Sequence, residues 1–189
     1  MNFTDYTDYT LKAISSVDVG EVERLTDSLF EAFEKGNTVF VIGNGGSAAN
    51  ASHFAQDLAK GTLAHADQEK RLKALSLTDN LPFISALGND EGYENIFVQQ
   101  LRTFASAGDL LVAISGSGNS PNILKAIEFA KGKGMKTIGI TGFDGGKLRG
   151  IADEGVHVPL NDMCTSESVH SVIFHYVILE LKERITSHQ

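Results

Sequence analysis

The sequence predicts a three-layer α/β sandwich with a parallel central sheet. Two observations predict this class: short β-branched runs are apolar at nearly every position, and helix-sized segments separate one run from the next. Runs that are apolar throughout are typical of strands covered on both faces, and strands that alternate with helices pair in parallel through right-handed crossovers. Ligands bind at the carboxyl ends of such strands, so we expect the functional residues in the loops that follow them.

The elements of this sandwich can be placed in order along the chain. Apolar residues at helical spacing predict a helix from Val17 onward, with Asp18 as its cap and Gly36 as its end. A shorter helix is predicted near residues 6–14. The strand predictions are 38–42, 72–77, 110–114, 137–141 and 156–158. The helix predictions that accompany them are about 47–60, 80–104, 120–132, 146–150 and 165–186.

Length and composition indicate one soluble globular domain. Of the 189 residues, 42% are apolar and 21% are charged, which is ordinary for a folded domain and excludes a largely disordered protein. We expect a single domain over 1–189, with a helical segment at about 1–36 and an α/β core at about 37–189. No apolar run approaches the roughly 18 residues that a membrane span needs.

Charge and cysteine content limit which partners the protein could bind and which compartment it could occupy. The net charge is −8, and this acidic balance argues against a nucleic-acid partner or an anionic membrane surface. The single cysteine, Cys164, excludes an internal disulfide and fits a reducing compartment. The first ten residues lack the order of a secretion signal, so we expect a cytoplasmic protein.

Two glycine-rich loops predict a phosphate site. Glycines let backbone N–H groups approach a ligand, and the helix start after each loop adds donors and the positive end of a dipole. The candidate binding residues are Asn44, Gly45, Gly46 and Ser47 after the first strand, and Ser115, Gly116, Ser117 and Ser120 after the third. Either loop alone is equally well explained as a tight strand-to-helix turn, but two such loops on neighbouring strands favour phosphate binding.

A dinucleotide-binding fold is the alternative for the first loop. Gly43, Gly45 and Ala48 match the loose glycine fingerprint, and Asp79 follows the second strand as a ribose-binding acid would. The serine-rich second loop supplies hydroxyls that a pyrophosphate on one helix start would not need. We therefore expect no nucleotide cofactor.

Ionisable side chains on two predicted helices form a second candidate site. His53 and Asp57 are four residues apart on one helix face, whereas Glu167 and His175 are eight apart, so both can face one cleft. Two imidazoles and two carboxylates suit a divalent metal, with zinc the first choice, and they equally suit proton transfer. Each histidine alone is better explained as a satisfied core residue, and we expect His170 to face outward or to contact another subunit. The pairing of the two segments is what favours function.

Taken together, segments 43–50, 53–55, 77–80, 88–94, 114–120 and 141–146 resemble the sugar isomerase (SIS) domain family. Within that family they are most similar to the phosphoheptose isomerase branch, over about residues 15–185. The resemblance implies a five-stranded parallel flavodoxin-like sheet and a homotetramer with active sites between subunits. It also implies the isomerisation of sedoheptulose 7-phosphate to D-glycero-D-manno-heptose 7-phosphate, a precursor of lipopolysaccharide or another surface polysaccharide.

The resemblance implies roles for individual residues as well. Asp57 would remove a proton from carbon, and His175 would protonate oxygen as an enediol forms. The implied zinc ligands are His53, Asp57, Glu167 and His175. The implied substrate contacts are Asn44, Gly45, Gly46, Asn89, Asp90 and Glu167, with Ser115, Gly116, Ser117 and Ser120 on the phosphate.

Several residues depart from the family pattern. Asp57 stands where the family has glutamate, and a shift of about 1 Å between base and substrate can cost about a hundredfold in rate. Glu167 stands where the family has glutamine, and its charge would strengthen or change a metal site. Lys60, Gly61 and segment 163–168 also differ. A second function therefore stays open: a non-catalytic SIS regulator that binds a phosphosugar or the replication initiator.

Overall fold

The computed structural model describes residues 1–188 and is built on a five-stranded, all-parallel sheet in the order β2-β1-β3-β4-β5. The strands are β1 (Thr38–Gly43), β2 (Lys73–Ser76), β3 (Leu110–Ser115), β4 (Lys136–Thr141) and β5 (Glu154–His157). The helices are α1 (Phe3–Ser15), α2 (Val19–Lys35), α3 (Gly46–Gln56), α4 (Leu81–Asp90), α5 (Ile96–Phe104), α6 (Pro121–Gly132), α7 (Gly146–Ile151) and α8 (Met163–Ser187).

Helices cover both faces of the sheet, which produces two separate apolar cores. Successive residues of a strand point to opposite faces. Val39 and Val41 of β1 pack into the core that also holds α2, α3 and α8, whereas Phe40 and Ile42 pack into the core formed with α5, α6 and α7. This arrangement confirms the predicted three-layer sandwich.

The predicted strands are confirmed within two residues at each end, and most helices are confirmed as well. Asp18 caps α2 by accepting a hydrogen bond from the backbone N–H of Gly20 at 2.8 Å, and Gly36 ends the helix at φ 68°. The segment 80–104 is different: it does not form one helix. Gly92 adopts φ 91° and separates α4 from a short 3₁₀ turn at Tyr93–Asn95, which leads into α5.

Strand β2 departs from the expectation that every strand is covered on both faces. It lies at the edge of the sheet, Lys73 is exposed, and Leu75 keeps 45% of its surface accessible. Leu72 and Leu77, at the two ends of the predicted strand 72–77, are buried, whereas Leu75 between them is not. The expectation of complete coverage is therefore wrong for this strand, because an edge strand can leave its central residues accessible.

Helix α8 contains a fully buried histidine. His170 has no accessible surface, so the expectation that it faces outward or contacts another subunit is wrong. Its Nε2 lies 3.2 Å from the carbonyl oxygen of Thr141, and its Nδ1 is one buried atom without a hydrogen-bond partner among residues 1–188. Burial lowers the pKa of His170 to about 4, and the Thr141 carbonyl offsets only part of that effect.

None of the helices in the described chain is long and apolar enough to cross a bilayer.

The buried His170 predicts a loss of stability in acid. Its pKa is about 4 in the folded chain against 6.5 in the unfolded one, so the unfolded chain binds the proton more tightly. Between pH 7 and pH 4.5 this group is expected to remove roughly 2–3 kcal/mol of the free energy of unfolding. Urea unfolding at both pH values should show a smaller loss in His170→Leu than in the wild type. The exposed His65 serves as the control, and an equal loss in His170→Leu and His65→Leu would contradict this prediction.

Candidate functional site

The two predicted phosphate loops lie side by side at the carboxyl edge of the sheet. Strands β1 and β3 are direct neighbours, with Gly43 opposite Ile114, so both loops start from the same place. They border a cavity of about 240 Å³. Its lining comprises Asn44, Gly45, Gly46, Ser47, Ile114, Ser115, Gly116, Ser117, Ser120, Met163 and Glu167. The expectation that the loops occupy neighbouring strands is therefore confirmed.

The first loop places open backbone donors at the cavity. A side chain at Gly43 would put its Cβ 2.4 Å from the carbonyl oxygen of Ser47, so only glycine allows this tight turn into α3. Gly45 precedes α3 at φ 54°, and no side chain caps the helix. The first-turn N–H groups of α3 are therefore free of a side-chain acceptor and suit an anion.

The second loop places hydroxyls at the same cavity. Ser120 precedes α6 and Pro121 is its first residue, but the Ser120 hydroxyl makes no capping hydrogen bond and stays available. Gly118 adopts φ 63° and lies against the third loop, residues 142–145 between β4 and α7. The N–H of Leu148 in α7 donates to the carbonyl oxygen of Gly118 at 2.9 Å. This contact holds the serine-rich loop in one conformation.

The cavity is acidic at one wall and has no basic residue in its lining. The Glu167 carboxylate lies directly against Gly46. A Cβ added at that glycine would come within 2.5 Å of all three atoms of the carboxylate group, so only glycine leaves room for it. The lining contains no lysine or arginine, so a phosphate would be held by hydroxyls and backbone N–H groups. Met163 packs against Gly116, with its Sδ 2.5 Å from the Cβ position of that glycine.

Asn44 is held by two residues that the sequence reasoning missed. Its side-chain amide exchanges two hydrogen bonds with the amide of Asn122, at 2.9 Å and 2.8 Å. Tyr93 donates its hydroxyl to Asn44 Oδ1 at 3.0 Å. Asn122 looks like an ordinary first-turn residue of a helix and Tyr93 like part of a turn, so no local pattern marks either one.

A histidine–aspartate cluster forms beside the loop cavity, between α3 and α8. His53 Nε2 lies 3.2 Å from Asp57 Oδ2, and His175 Nε2 lies 4.0 Å from the same oxygen. The two imidazole rings meet edge to face at 5.1 Å. Beneath them Phe54 and Phe174 stack at 4.2 Å and tie the two helices together. The two predicted segments therefore do converge.

The chain around Asp57 leaves the α-helical path. Residues Asp57–Gly61 form a π-helical turn, a feature often found at functional sites. Gly61 packs closely here: its Cβ position lies 3.3 Å from Ile178 Cγ2 and 3.6 Å from Asp57 Cβ. A larger residue at Gly61 would push α8 or Asp57 away.

Three of the four predicted metal ligands fit a divalent ion. Ligand atoms of His53, Asp57 and His175 lie within 4.8 Å of one another, and two imidazoles with one carboxylate match a catalytic zinc site that keeps an open position. Glu167 does not belong to this three-residue group. Glu167 lies eight residues before His175 on α8 and lines the loop cavity. Within one chain the four side chains therefore do not form a single metal site.

Asn89 and Asp90 lie apart from both regions. They are exposed at the end of α4, where Asn89 Nδ2 donates to Asp90 Oδ1 at 2.7 Å, and neither lines the loop cavity. Cys164 is a free, exposed cysteine at the start of α8. The structure assigns none of these three residues to the site within a single chain.

The cavity and the cluster are carried by the same two helices. Asn50 of α3 joins them: its Nδ2 donates to the carbonyl oxygen of Glu167 at 3.0 Å, and its Oδ1 accepts from the hydroxyl of Ser171 at 2.7 Å. Gly46 and His53 are seven positions apart, which corresponds to about 10 Å along a helix axis. The arrangement can thus hold an elongated ligand with an anionic end in the loops and its other end at the cluster.

Comparisons with known proteins point to one group. A profile of the SIS domain matches residues 2–142. The phosphoheptose isomerase of Pelobacter propionicus is 41% identical over 157 residues, which is 82% of this chain and 80% of that protein. That of Aliarcobacter butzleri is 38% identical over 167 residues, or 88% and 86% of the two chains. The structure of phosphoheptose isomerase GmhA from Neisseria gonorrhoeae is similar with a TM-score of 0.87 at 28% identity, covering 95% of this chain and 96% of that one.

Proposed function

Because the chain belongs to the SIS domain family and its phosphoheptose isomerase branch, we propose that it converts sedoheptulose 7-phosphate to D-glycero-D-manno-heptose 7-phosphate. At the coarser level it is a sugar-phosphate isomerase of the aldose–ketose type. The observation that carries the proposal is the pairing of a loop cavity lined by hydroxyl and backbone donors with a histidine–aspartate cluster on the same two helices.

The loops hold the phosphate end of the substrate. The hydroxyls of Ser115, Ser117 and Ser120, together with the first N–H groups of α3, supply neutral donors on several sides of the anion. The binding energy of this end positions the reacting carbons at the cluster, where orientation contributes directly to the rate. Asn44, Gly45, Gly46, Ser47 and Gly116 complete the proposed binding surface, with Asn89 and Asp90 reaching substrate bound at a neighbouring subunit.

The cluster transfers protons between neighbouring carbons. Asp57 removes a proton from C1 of the ketose while His175 protonates the C2 carbonyl oxygen, which yields an enediol. Asp57 then delivers a proton that has exchanged with solvent to C2, and loss of the O1 proton gives the aldose. His53 Nε2 lies 3.2 Å from Asp57 Oδ2 and so helps to hold the carboxylate in place.

A divalent metal, zinc as the first choice, is part of the proposal. His53, Asp57 and His175 would hold it, whereas Glu167, the fourth predicted ligand, lies outside this group within one chain. When bound, zinc would polarise the carbonyl and hydroxyl oxygens of the substrate. A carboxylate that also binds a metal is a weaker base, so metal content and exchange rate should be measured on one preparation.

We also propose a homotetramer with active sites between subunits. Support comes from an apolar face on α8, formed by Val172, Tyr176 and Leu179, which borders the exposed His175. Covering this face with another copy would bury apolar surface and bring a second chain to the cluster. Light scattering is expected to give four times the chain mass of 20.3 kDa, and a monomer would contradict the proposal.

The proposed setting is the cytoplasm, where the product would supply surface polysaccharide precursors such as those of lipopolysaccharide. The support for this setting is the single cysteine, which fits a reducing compartment.

Incubating the protein in D₂O with five-, six- and seven-carbon ketose phosphates tests the function. We expect the seven-carbon ketose to give the aldose with deuterium at C2, faster than the shorter sugars, and we expect chelation to slow this reaction. Thermal stabilisation by these sugar phosphates without turnover of any of them would contradict the proposal. That result would support the alternative, a non-catalytic phosphosugar-binding or replication-initiator-binding regulator.

A further inference from the structure

We propose that Asn122 is a positioning residue that sets which hydrogen-bonding group Asn44 presents to the substrate. The inference rests on the proposed function only in that Asn44 faces the bound sugar phosphate. Asn122 lies outside the cavity lining, in the first turn of α6, and 1% of its surface is accessible. It would act through Asn44 and not touch substrate itself.

The orientation of the Asn122 amide is dictated by the backbone. The N–H of Ile123 donates to Asn122 Oδ1 at 3.0 Å and is shared with the carbonyl oxygen of Ser120 at 3.1 Å, so the reversed amide would set an N–H group against a donor and is disfavoured. Asn122 Nδ2 therefore donates to Asn44 Oδ1 at 2.8 Å, and Asn44 Nδ2 donates to Asn122 Oδ1 at 2.9 Å. A backbone group of the second loop's helix thus fixes the amide of the first loop.

The hydroxyl of Tyr93 completes the constraint. It donates to Asn44 Oδ1 at 3.0 Å, so that oxygen already accepts two hydrogen bonds. The Asn44 amide has two N–H groups, and Asn122 uses one of them. What Asn44 has left to offer at the cavity is therefore a single N–H donor, which suits a phosphate or sugar oxygen and not another donor.

The pair also joins the two binding loops. Asn44 follows β1 and Asn122 follows Ser120 and Pro121, so the reciprocal amide bonds link residues 78 positions apart across the top of the sheet. Without Asn122 the Asn44 amide could flip between its two orientations, and one of them would point the amide oxygen at an anionic ligand. Such a loss of preorganisation weakens binding even when the fold is intact.

A double-mutant cycle tests this role. The probe is the heptitol 7-phosphate made by borohydride reduction of sedoheptulose 7-phosphate, which binds without turnover. We expect Asn122→Ala to raise its Kd about tenfold, as the loss of one or two hydrogen bonds would. In an Asn44→Ala background, adding Asn122→Ala should change the Kd less than twofold, because the residue through which it acts is gone. Tyr93→Phe, at a residue with 57% of its surface exposed, should raise the Kd about threefold and still fold.

Asn37→Ala is the matched control. Asn37 donates its side-chain amide to the carbonyl oxygen of Gly108 at the opposite end of the sheet. Removing this hydrogen bond should therefore alter the unfolding midpoint but not the Kd of the heptitol 7-phosphate. Equal fold-changes for Asn122→Ala with and without Asn44 would overturn the proposal, and so would a Kd unchanged by Asn122→Ala and Tyr93→Phe. If the wild type binds the heptitol phosphate but never isomerises the ketose, the proposed function fails while this cycle still decides the role of Asn122. A wild type that does not bind the probe would overturn both.

Discussion

Changing Asp57 to Asn is expected to lower kcat for the seven-carbon ketose phosphate by about 10²–10⁴-fold, the range for removal of a general base. Asparagine keeps the size of the side chain and removes its ability to accept a proton from carbon. The Kd of the heptitol 7-phosphate should change far less, because the phosphate loops lie outside the cluster. The measurement is single-turnover isomerisation together with washout of deuterium from C1.

The chain offers a matched control for this change. His65 and Asp67 form a second histidine–aspartate contact, at 2.8 Å, and both are exposed and outside the cavity lining. Asp67→Asn should leave kcat and exchange unchanged. His175→Ala should reduce the rate on the same scale as Asp57→Asn, since it removes the partner acid. Undiminished exchange in both Asp57→Asn and His175→Ala would show that the base lies elsewhere.

Changing Gly118 to Ala is expected to disrupt phosphate binding and the fold of the second loop together. The added Cβ would lie 2.0 Å from the carbonyl oxygen of Gly145, and the backbone at Gly118 has φ 63°, which alanine adopts only at a cost. That conformation costs about 1–2 kcal/mol, and moving the third loop brings the total to about 2–4 kcal/mol. For a chain of this size the unfolding midpoint should fall by roughly 5–15 °C.

Calorimetry and titration with heptitol 7-phosphate measure the two effects. Gly132→Ala provides the comparison, because Gly132 ends α6 with open space at its Cβ position. That substitution should leave the Kd unchanged and hold or slightly raise the midpoint, since alanine favours the helix by about 0.5–1 kcal/mol. A Gly118→Ala protein with wild-type midpoint and Kd would mean that the second and third loops do not support each other as described.

The shorter acid at position 57 illustrates how local and long-range effects combine. From the chain alone, aspartate in place of glutamate predicts a base displaced by about 1 Å. In the folded protein the Asp57 carboxylate still lies 3.2 Å from His53 and 4.0 Å from His175. The π-helical turn at Asp57–Gly61 and the close packing of Gly61 on Ile178 bring α8 near this carboxylate. Three departures from the family pattern, Asp57, Lys60 and Gly61, therefore lie in one structural unit.

Much of the architecture could be predicted by reading along the chain, because it depends on short-range patterns. Apolar β-branched runs identified the five strands, Asp18 and Gly36 bounded α2, and the glycine- and serine-rich loops marked the carboxyl edge of the sheet. Helical spacing placed His53 with Asp57 and Glu167 with His175, and the structure brings three of these four side chains together. Each of these inferences depends on residues that are close in sequence, or on the rule that parallel strands joined by helices bring their carboxyl ends to one edge of the sheet.

Other features emerged only when distant segments packed together. Asn122 and Tyr93 meet Asn44 across 78 and 49 residues, His170 is buried behind Thr141, and Glu167 lies against Gly46 and apart from the cluster. No local pattern distinguishes a helical asparagine that faces water from one that faces another amide, because the difference arises from which helix packs beside it. Side-chain partners are set by packing between elements, whereas the elements themselves are set largely by periodicity and turn chemistry along the chain.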